Sequence, residues 1–299
     1  MTMLKPLFQL ASPAGARARL SVLIFHRVLP EPDPLFPDEM DARRFDALCG
    51  WLKSWFNVLP LDQAAAQLKA GTLPARAACI TFDDGYADNC HVAMPILQRH
   101  SLTATFFIAT GFLDGGRMWN DTIIETVRRR ADLSTNADRE AAITTLINQI
   151  KYLPVAERVA TTEALAQKAQ VQLPTNLMMT SADVKAMRQA GMQIGAHTVS
   201  HPILARLSRA EAAKEIGDSK RYLEELLGER ISLFAYPNGK PGEDYSPESV
   251  DVVRSLGFDA AVSTQWGASR CGDDVLQIKR FTPWDKTRWR FGVRLLRNL

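Results

Sequence analysis

Seven short runs rich in apolar residues alternate with helix-forming segments along the 299 residues, and that alternation narrows the fold to a parallel sheet with helices outside it. The runs are Ser21–His26, Ala77–Phe82, Thr103–Ala109, Met192–Ala196, Ile231–Ala235, Phe258–Ser263 and Leu276–Arg280. Between them Asp41–Phe56, Leu61–Lys69, Ala87–Arg99, Ala182–Ala190, Arg209–Leu227 and Pro247–Leu256 read as helices. Ser208 with Glu211 forms a capping box, Ser246-Pro247 is a cap followed by a first-turn proline, and Gly191, Gly228 and Gly257 stand where helices stop.

Polar residues with chemical potential sit just past these strands. His26, Asp83, Asp84, His197, Asn238 and Arg280 all do so, as active-site residues do at the carboxyl end of a (β/α) barrel, whereas an open sheet gathers such residues only near its switch point. The rhythm breaks once. Trp119–Gln172 is Ala-rich and free of glycine, and reads as a helical insertion of about 117–180 within a single barrel domain spanning 1–299, followed by a basic tail of about 282–299. At the start of that segment, Trp119 is a candidate to stack on a ring or to anchor the insertion.

Two motifs carry the chemistry. Thr81-Phe82-Asp83-Asp84-Gly85 closes one apolar run, and His197-Thr198-Val199-Ser200-His201 follows another. In a continuing strand Asp83 and Asp84 would point to opposite faces, so a shared site requires the strand to end there, and Gly85 permits the turn. An i, i+4 spacing puts both imidazoles on one side if the segment is one helical turn, and Pro202 suits the start of a following helix, so that turn need not be complete. One carboxylate with two imidazoles suits a divalent metal, and a second carboxylate is left to move protons.

On these two motifs the chain resembles the NodB-type polysaccharide deacetylases, carbohydrate esterase family 4, and the likeness runs from about Leu20 to Phe281. It implies an irregular (β/α)7 barrel with an inserted helical segment and a metal-dependent hydrolase that removes N-acetyl groups from an acetamido sugar. It also implies that Asp83 is the general base and that Asp84, His197 and His201 hold one divalent metal, Zn2+ first and Co2+ second. Two departures stand out. The third family motif, R-x-P-Y, corresponds to Ala235-Tyr236-Pro237-Asn238, so its arginine is absent, while Tyr236 and the backbone N–H of Asn238 remain candidates for substrate and oxyanion contacts. The last motif, L-x-H, corresponds to Ile278-Lys279-Arg280 and lacks its histidine. Arg280 is then either an inward partner for Asp83 or a surface cation, and His26 either the proton donor or a hydrogen-bonded strand-end residue.

Composition fits a folded enzyme, with 46% hydrophobic and 23% charged residues and no C-x-x-C spacing among four cysteines. The region Met1–Leu20 has too short an apolar stretch for a signal segment, so the expected location is cytoplasmic. Eight basic and three acidic residues from Arg270 onward give the tail +5 of the net +3. That tail either packs on the barrel or makes peripheral contact with an anionic membrane; Gly292 and the lack of a clean apolar face favour packing. The expected partner is an N-acetylated carbohydrate, with no nucleic acid. Three rivals stay open: a deformylase or other amide hydrolase of the same family, a non-haem Fe(II) oxygenase, and a carbohydrate-binding relic.

Overall fold

Seven parallel strands close into a ring. In the computed structural model, which describes residues 4–130 and 132–299, these are β1 (Arg19–Phe25), β3 (Ala77–Phe82), β4 (Thr105–Ile108), β5 (Gln193–Ala196), β6 (Leu233–Ala235), β7 (Ala260–Trp266) and β9 (Ile278–Phe281). They pair in the order β1-β3-β4-β5-β6-β7-β9, and β9 returns to β1 through Val22↔Arg280 and Leu23↔Phe281. Two short strands lie outside the ring and outside the sequence expectation: β2 (Asn57–Val58) beside β3, and β8 (Ser269–Arg270), antiparallel to β1.

Strand alternation divides the side chains into two layers. Leu20, Val22, Ala77, Cys79, Phe107, Leu233, Ala235, Val262 and Ile278 form one apolar cluster inside the ring. Helix α3 (Leu61–Ala70) adds Leu61, Ala64, Ala65 and Leu68 to that cluster and so closes one end. The intervening residues, including Leu23, Ile80, Phe82, Phe106, Ile194, Phe234 and Ala261, face a second, larger cluster under the helices. There α2 (Ala42–Trp55), α4 (Met94–Arg99), α8 (Ser181–Gln189), α9 (Arg209–Leu227) and α10 (Pro247–Ser255) pack on the barrel wall. The capping box of α9 is formed by Ser208 and Glu211, and its end by Gly228 at φ 68°. Upstream of α4 the chain makes a π turn over Asn89–Ala93 in place of the expected regular helix. Pro95, in the first turn of α4, has no N–H to donate backward, which accounts for the wider turn.

Between β4 and β5 the insertion is three helices, α5 (Trp119–Arg128), α6 (Asn136–Ile150) and α7 (Val155–Ala169). Ile123, Val127, Ile143 and Ile150 form their own small core with Leu35 from the loop after β1. At the termini, α1 (Leu4–Ala11) packs on α11 (Arg288–Asn298), in which Phe291 and Leu295 are fully buried. Gly292 has a different role from the helix-weakening one expected of it. A Cβ there would overlap Leu4 Cδ1 and stand 3.1 Å from Trp55, so its smallness lets the helices meet. Among the described residues no helix is long and apolar enough to cross a membrane.

The tightest point of the ring is Gly195 on β5, where an added Cβ would lie 2.5 Å from the Phe107 ring and 3.0 Å from the Leu233 carbonyl oxygen. Gly195→Ala is therefore expected to lower stability by about 1–3 kcal/mol through overpacking. Gly217→Ala on α9, where the new methyl meets only Leu256 at 3.5 Å, is expected to raise stability by roughly 0.5–1 kcal/mol. Urea unfolding of both variants measures the contrast.

Candidate active site

The Asp-Asp turn lies at the carboxyl end of β3. Asp83 continues the strand, with its N–H donating to the Phe25 carbonyl at 2.9 Å, so it keeps the inward direction of Ala77, Cys79 and Thr81. Asp84 then enters the left-handed region at φ 75°, followed by Gly85 at φ 92°. This backbone reversal is what lets adjacent carboxylates face one site. Aspartate tolerates it better than most residues, and the turn is pinned by Ala109 N–H to Asp84 O at 3.2 Å and Met179 N–H to Gly85 O at 2.9 Å.

The histidine segment forms a loop in place of the helical turn that its spacing also allows. Thr198 and His201 both have positive φ, 65° and 51°, and the chain folds through a compact loop that brings the two imidazole centroids to 4.9 Å. Glu215 on α9 holds this loop. Its carboxylate accepts from the N–H groups of Val199 at 3.0 Å and Ser200 at 2.9 Å, and from the Ser200 hydroxyl at 2.7 Å. Gly111 lies against it so closely that a Cβ would stand 2.7 Å from the Val199 carbonyl oxygen. From the insertion, the buried Arg158 reaches the His201 carbonyl at 3.5 Å and lies over the Trp119 ring at 5.1 Å. Trp119 thus anchors the insertion with that ring face covered.

Asp84, His197 and His201 converge, with their candidate ligand atoms within 4.8 Å of one another. Asp84 Oδ1 is 3.5 Å from Nε2 of each histidine and has no hydrogen-bond partner. His197 Nδ1 lies 2.8 Å from the Ala235 carbonyl oxygen. That acceptor places the proton on Nδ1 and leaves Nε2 with a free lone pair. Ligands at 2.0–2.2 Å around a tetrahedral cation stand about 3.4 Å apart, so the three groups have spacings that fit a zinc-like ion. Burial first, with His197 and Arg158 adding to it, pushes His201 down to about 4, the neutral form that a ligand needs. Burial opposes ionisation of Asp84, yet the two histidines outweigh it and hold that carboxyl well below the usual range.

Arg280 points inward beside these groups, since β9 places it on the same face as Ile278. Its Nη1 and Nη2 donate to the two Asp83 oxygens, each at 2.7 Å, its Nε donates to the Ser263 carbonyl at 2.7 Å, and its side chain is fully buried. Burial alone would raise Asp83; the Arg280 charge, then His197, overturn this and hold it below the ordinary carboxylate range. Asn238 has φ 58°, and its carbonyl accepts from the Thr264 hydroxyl at 2.8 Å. His26 is exposed at the rim of a cavity that it shares with Asp84, and Asn89 donates to its carbonyl at 2.9 Å.

Tyr236 is a correction. It was expected at the substrate, but its side chain is fully buried in the outer layer with Phe234, donating to the Leu276 carbonyl at 3.0 Å and stacking on Tyr245 at 3.9 Å. Strand alternation is the reason: Ala235 faces the lumen, so its neighbour faces the helices. Glu215 and Arg158 were missed because nothing in a helical glutamate or arginine signals a tie to a loop more than ten residues away. Glu215→Ala strips three donors of their acceptor and should lower the melting temperature, as read by thermal unfolding.

Comparison with known proteins gives this geometry a family. The polysaccharide deacetylase family model matches residues 70–261, well over half of the chain and including both the Asp-Asp and histidine turns. YxkH of Bacillus subtilis (strain 168), provisionally named a polysaccharide deacetylase, is 22% identical over 265 residues, which are 88% of this chain and 71% of that protein. Among solved structures, the Streptococcus pyogenes deacetylase PplD in complex with acetate superposes with a TM-score of 0.65 at 21% identity, covering 94% of this chain and 98% of that one. IcaB from Ammonifex degensii superposes at 0.64 and 20% identity with the same coverage. At such identities the structural likeness is one of fold, the closed seven-strand barrel; it is the family match that makes this chain a member of the polysaccharide deacetylase family, a hydrolase acting on carbon–nitrogen bonds.

Proposed function

We propose that the protein removes the N-acetyl group from an acetamido sugar in an oligosaccharide, polysaccharide or lipid-linked glycan, using one divalent cation, zinc in preference to cobalt, held by Asp84, His197 and His201. The observation that carries this reading is the unpartnered Asp84 Oδ1, 3.5 Å from two imidazole Nε2 atoms, next to a second buried carboxylate that an arginine keeps ionised. When bound, the cation would lower the pKa of a water molecule and polarise the acyl oxygen. The remaining work falls to the chain. Asp83 accepts the proton of the attacking water. Arg280 grips both Asp83 oxygens, which aims the carboxylate and keeps it basic at neutral pH. The backbone N–H of Asn238 meets charge developing on the acyl oxygen. His26, open to solvent at the cavity rim, supplies the proton with which the sugar amine leaves.

Formamide and acetamide substrates place the same demands on these residues, so a deformylase is the nearest alternative. A binding relic is disfavoured by Arg280, which restores from β9 the guanidinium absent at position 235. An oxygenase has no use for a base gripped in this way.

Zinc-loaded enzyme is expected to release acetate from N-acetylglucosamine oligomers, detected by mass spectrometry as loss of acetyl groups; release of formate alone from the formylated sugars would move the assignment to deformylation. Asp83→Asn should abolish turnover with zinc stoichiometry retained, whereas Asp84→Asn and His197→Ala should lose both. Full activity in Asp83→Asn would exclude its role as base. Arg280→Met leaves a buried carboxylate without its counter-ion, a loss of about 3–5 kcal/mol. Its expected signature is a lower melting temperature and turnover reduced at least tenfold while zinc remains bound.

A further inference from the structure

Helix α5 of the insertion brings Asn120, Asp121, Glu125 and Arg128 to the cavity beside Asp84. This cavity, about 220 Å³, has His26, Arg27, Tyr86, Asn120 and Asp121 among the residues lining it. Its cations are already engaged: Arg27 Nε donates to Asp88 at 2.8 Å, and Arg128 donates to the two Asp33 oxygens at 3.0 and 2.6 Å. Glu125 on α5 is likewise engaged, by Arg128 and Arg129, but two other acceptors on that helix are not. Asn120 Oδ1 and Asp121 Oδ2 are buried without a hydrogen-bond partner, although Asp121 is only 4% exposed and its other oxygen accepts from the Tyr86 hydroxyl at 3.3 Å. Burial first, with Asp84 and Glu125 adding to it, pushes Asp121 up to about 7 against the opposing Arg27 charge and the Tyr86 hydrogen bond.

Buried acceptors without donors are costly to maintain, and these two sit on consecutive residues of one helix facing the same space. They call for a ligand rich in hydrogen-bond donors. A sugar ring offers hydroxyls on adjacent carbons, and a space of this size is on the scale of a single ring rather than of a larger ligand. We infer that Asn120 and Asp121 form a sugar-binding subsite that accepts hydrogen bonds from ring hydroxyls of the saccharide whose acetamide lies at Asp84. This rests on the deacetylase reading and adds a division of labour: the barrel supplies the chemistry, and the insertion selects the ring. Asp121 is here a positioning residue, since it holds ring hydroxyls and acts on the acetamide only through the sugar.

Calorimetric titration of the zinc-loaded full chain with N-acetylglucosamine tetramer tests it, with acetate titrated in parallel. Asn120→Ala and Asp121→Ala are expected to weaken tetramer binding tenfold or more, with wild-type zinc stoichiometry and acetate affinity. Asp121→Asn keeps the shape and one acceptor, and is expected to fall between wild type and Asp121→Ala. Tetramer affinity within twofold of wild type in both alanine variants overturns the subsite alone. Loss of zinc together with sugar overturns it as well, because α5 would then only brace the barrel. A wild-type protein that binds no oligomer of N-acetylglucosamine, N-acetylgalactosamine or N-acetylmannosamine overturns the saccharide reading and the subsite together.

Discussion

Closure of the parallel ring is the constraint from which the rest of the structure follows. A closed ring has a single lumen, and a strand sends every second side chain into it. Ala77, Cys79, Thr81 and Asp83 therefore line up inward on β3, as Ile278 and Arg280 do on β9. Deep in the lumen these positions are small or apolar and pack to exclude water. At the carboxyl end the same periodicity brings an acid and a base face to face, and the fold positions the pair without any further device.

A fully buried ion pair is stable only when its remaining hydrogen-bonding capacity is used. Arg280 meets that condition with both Asp83 oxygens, the Ser263 carbonyl and the Thr81 hydroxyl at 3.3 Å. Asp84, one residue away, is in the opposite condition: a buried oxygen faces two imidazoles and has no donor within bonding distance. One carboxylate thus has both oxygens satisfied by protein, and the other keeps a buried oxygen without a donor. The left-handed turn at Asp84 and Gly85 creates this difference between neighbours.

Around this centre the structure adds supports that no strand pattern announces. Glu215 fastens the histidine loop from one side and Arg158 from the other, while α5 presents Asn120 and Asp121 to the cavity. The insertion is therefore not a passive cover. It touches the backbone of His201 and contributes side chains to the same space as Asp84.

The strand and helix alternation, the capping signals of α9 and α10, and the two motifs with their adjacent polar residues were legible in the amino-acid sequence, because they depend on contacts a few residues apart. The spacing of His197 and His201 was legible too, but not the loop that joins them, since two residues with positive φ replace the helical turn. What only the tertiary structure decided is which side of each strand faces the lumen and what stands opposite. Tyr236 faces the helices although its neighbours border the site, Arg280 meets an aspartate 197 positions away, and Gly292 serves a helix contact rather than a break. Those outcomes depend on ring closure and register, and these follow from the packing of the whole chain at once rather than from any local run of residues.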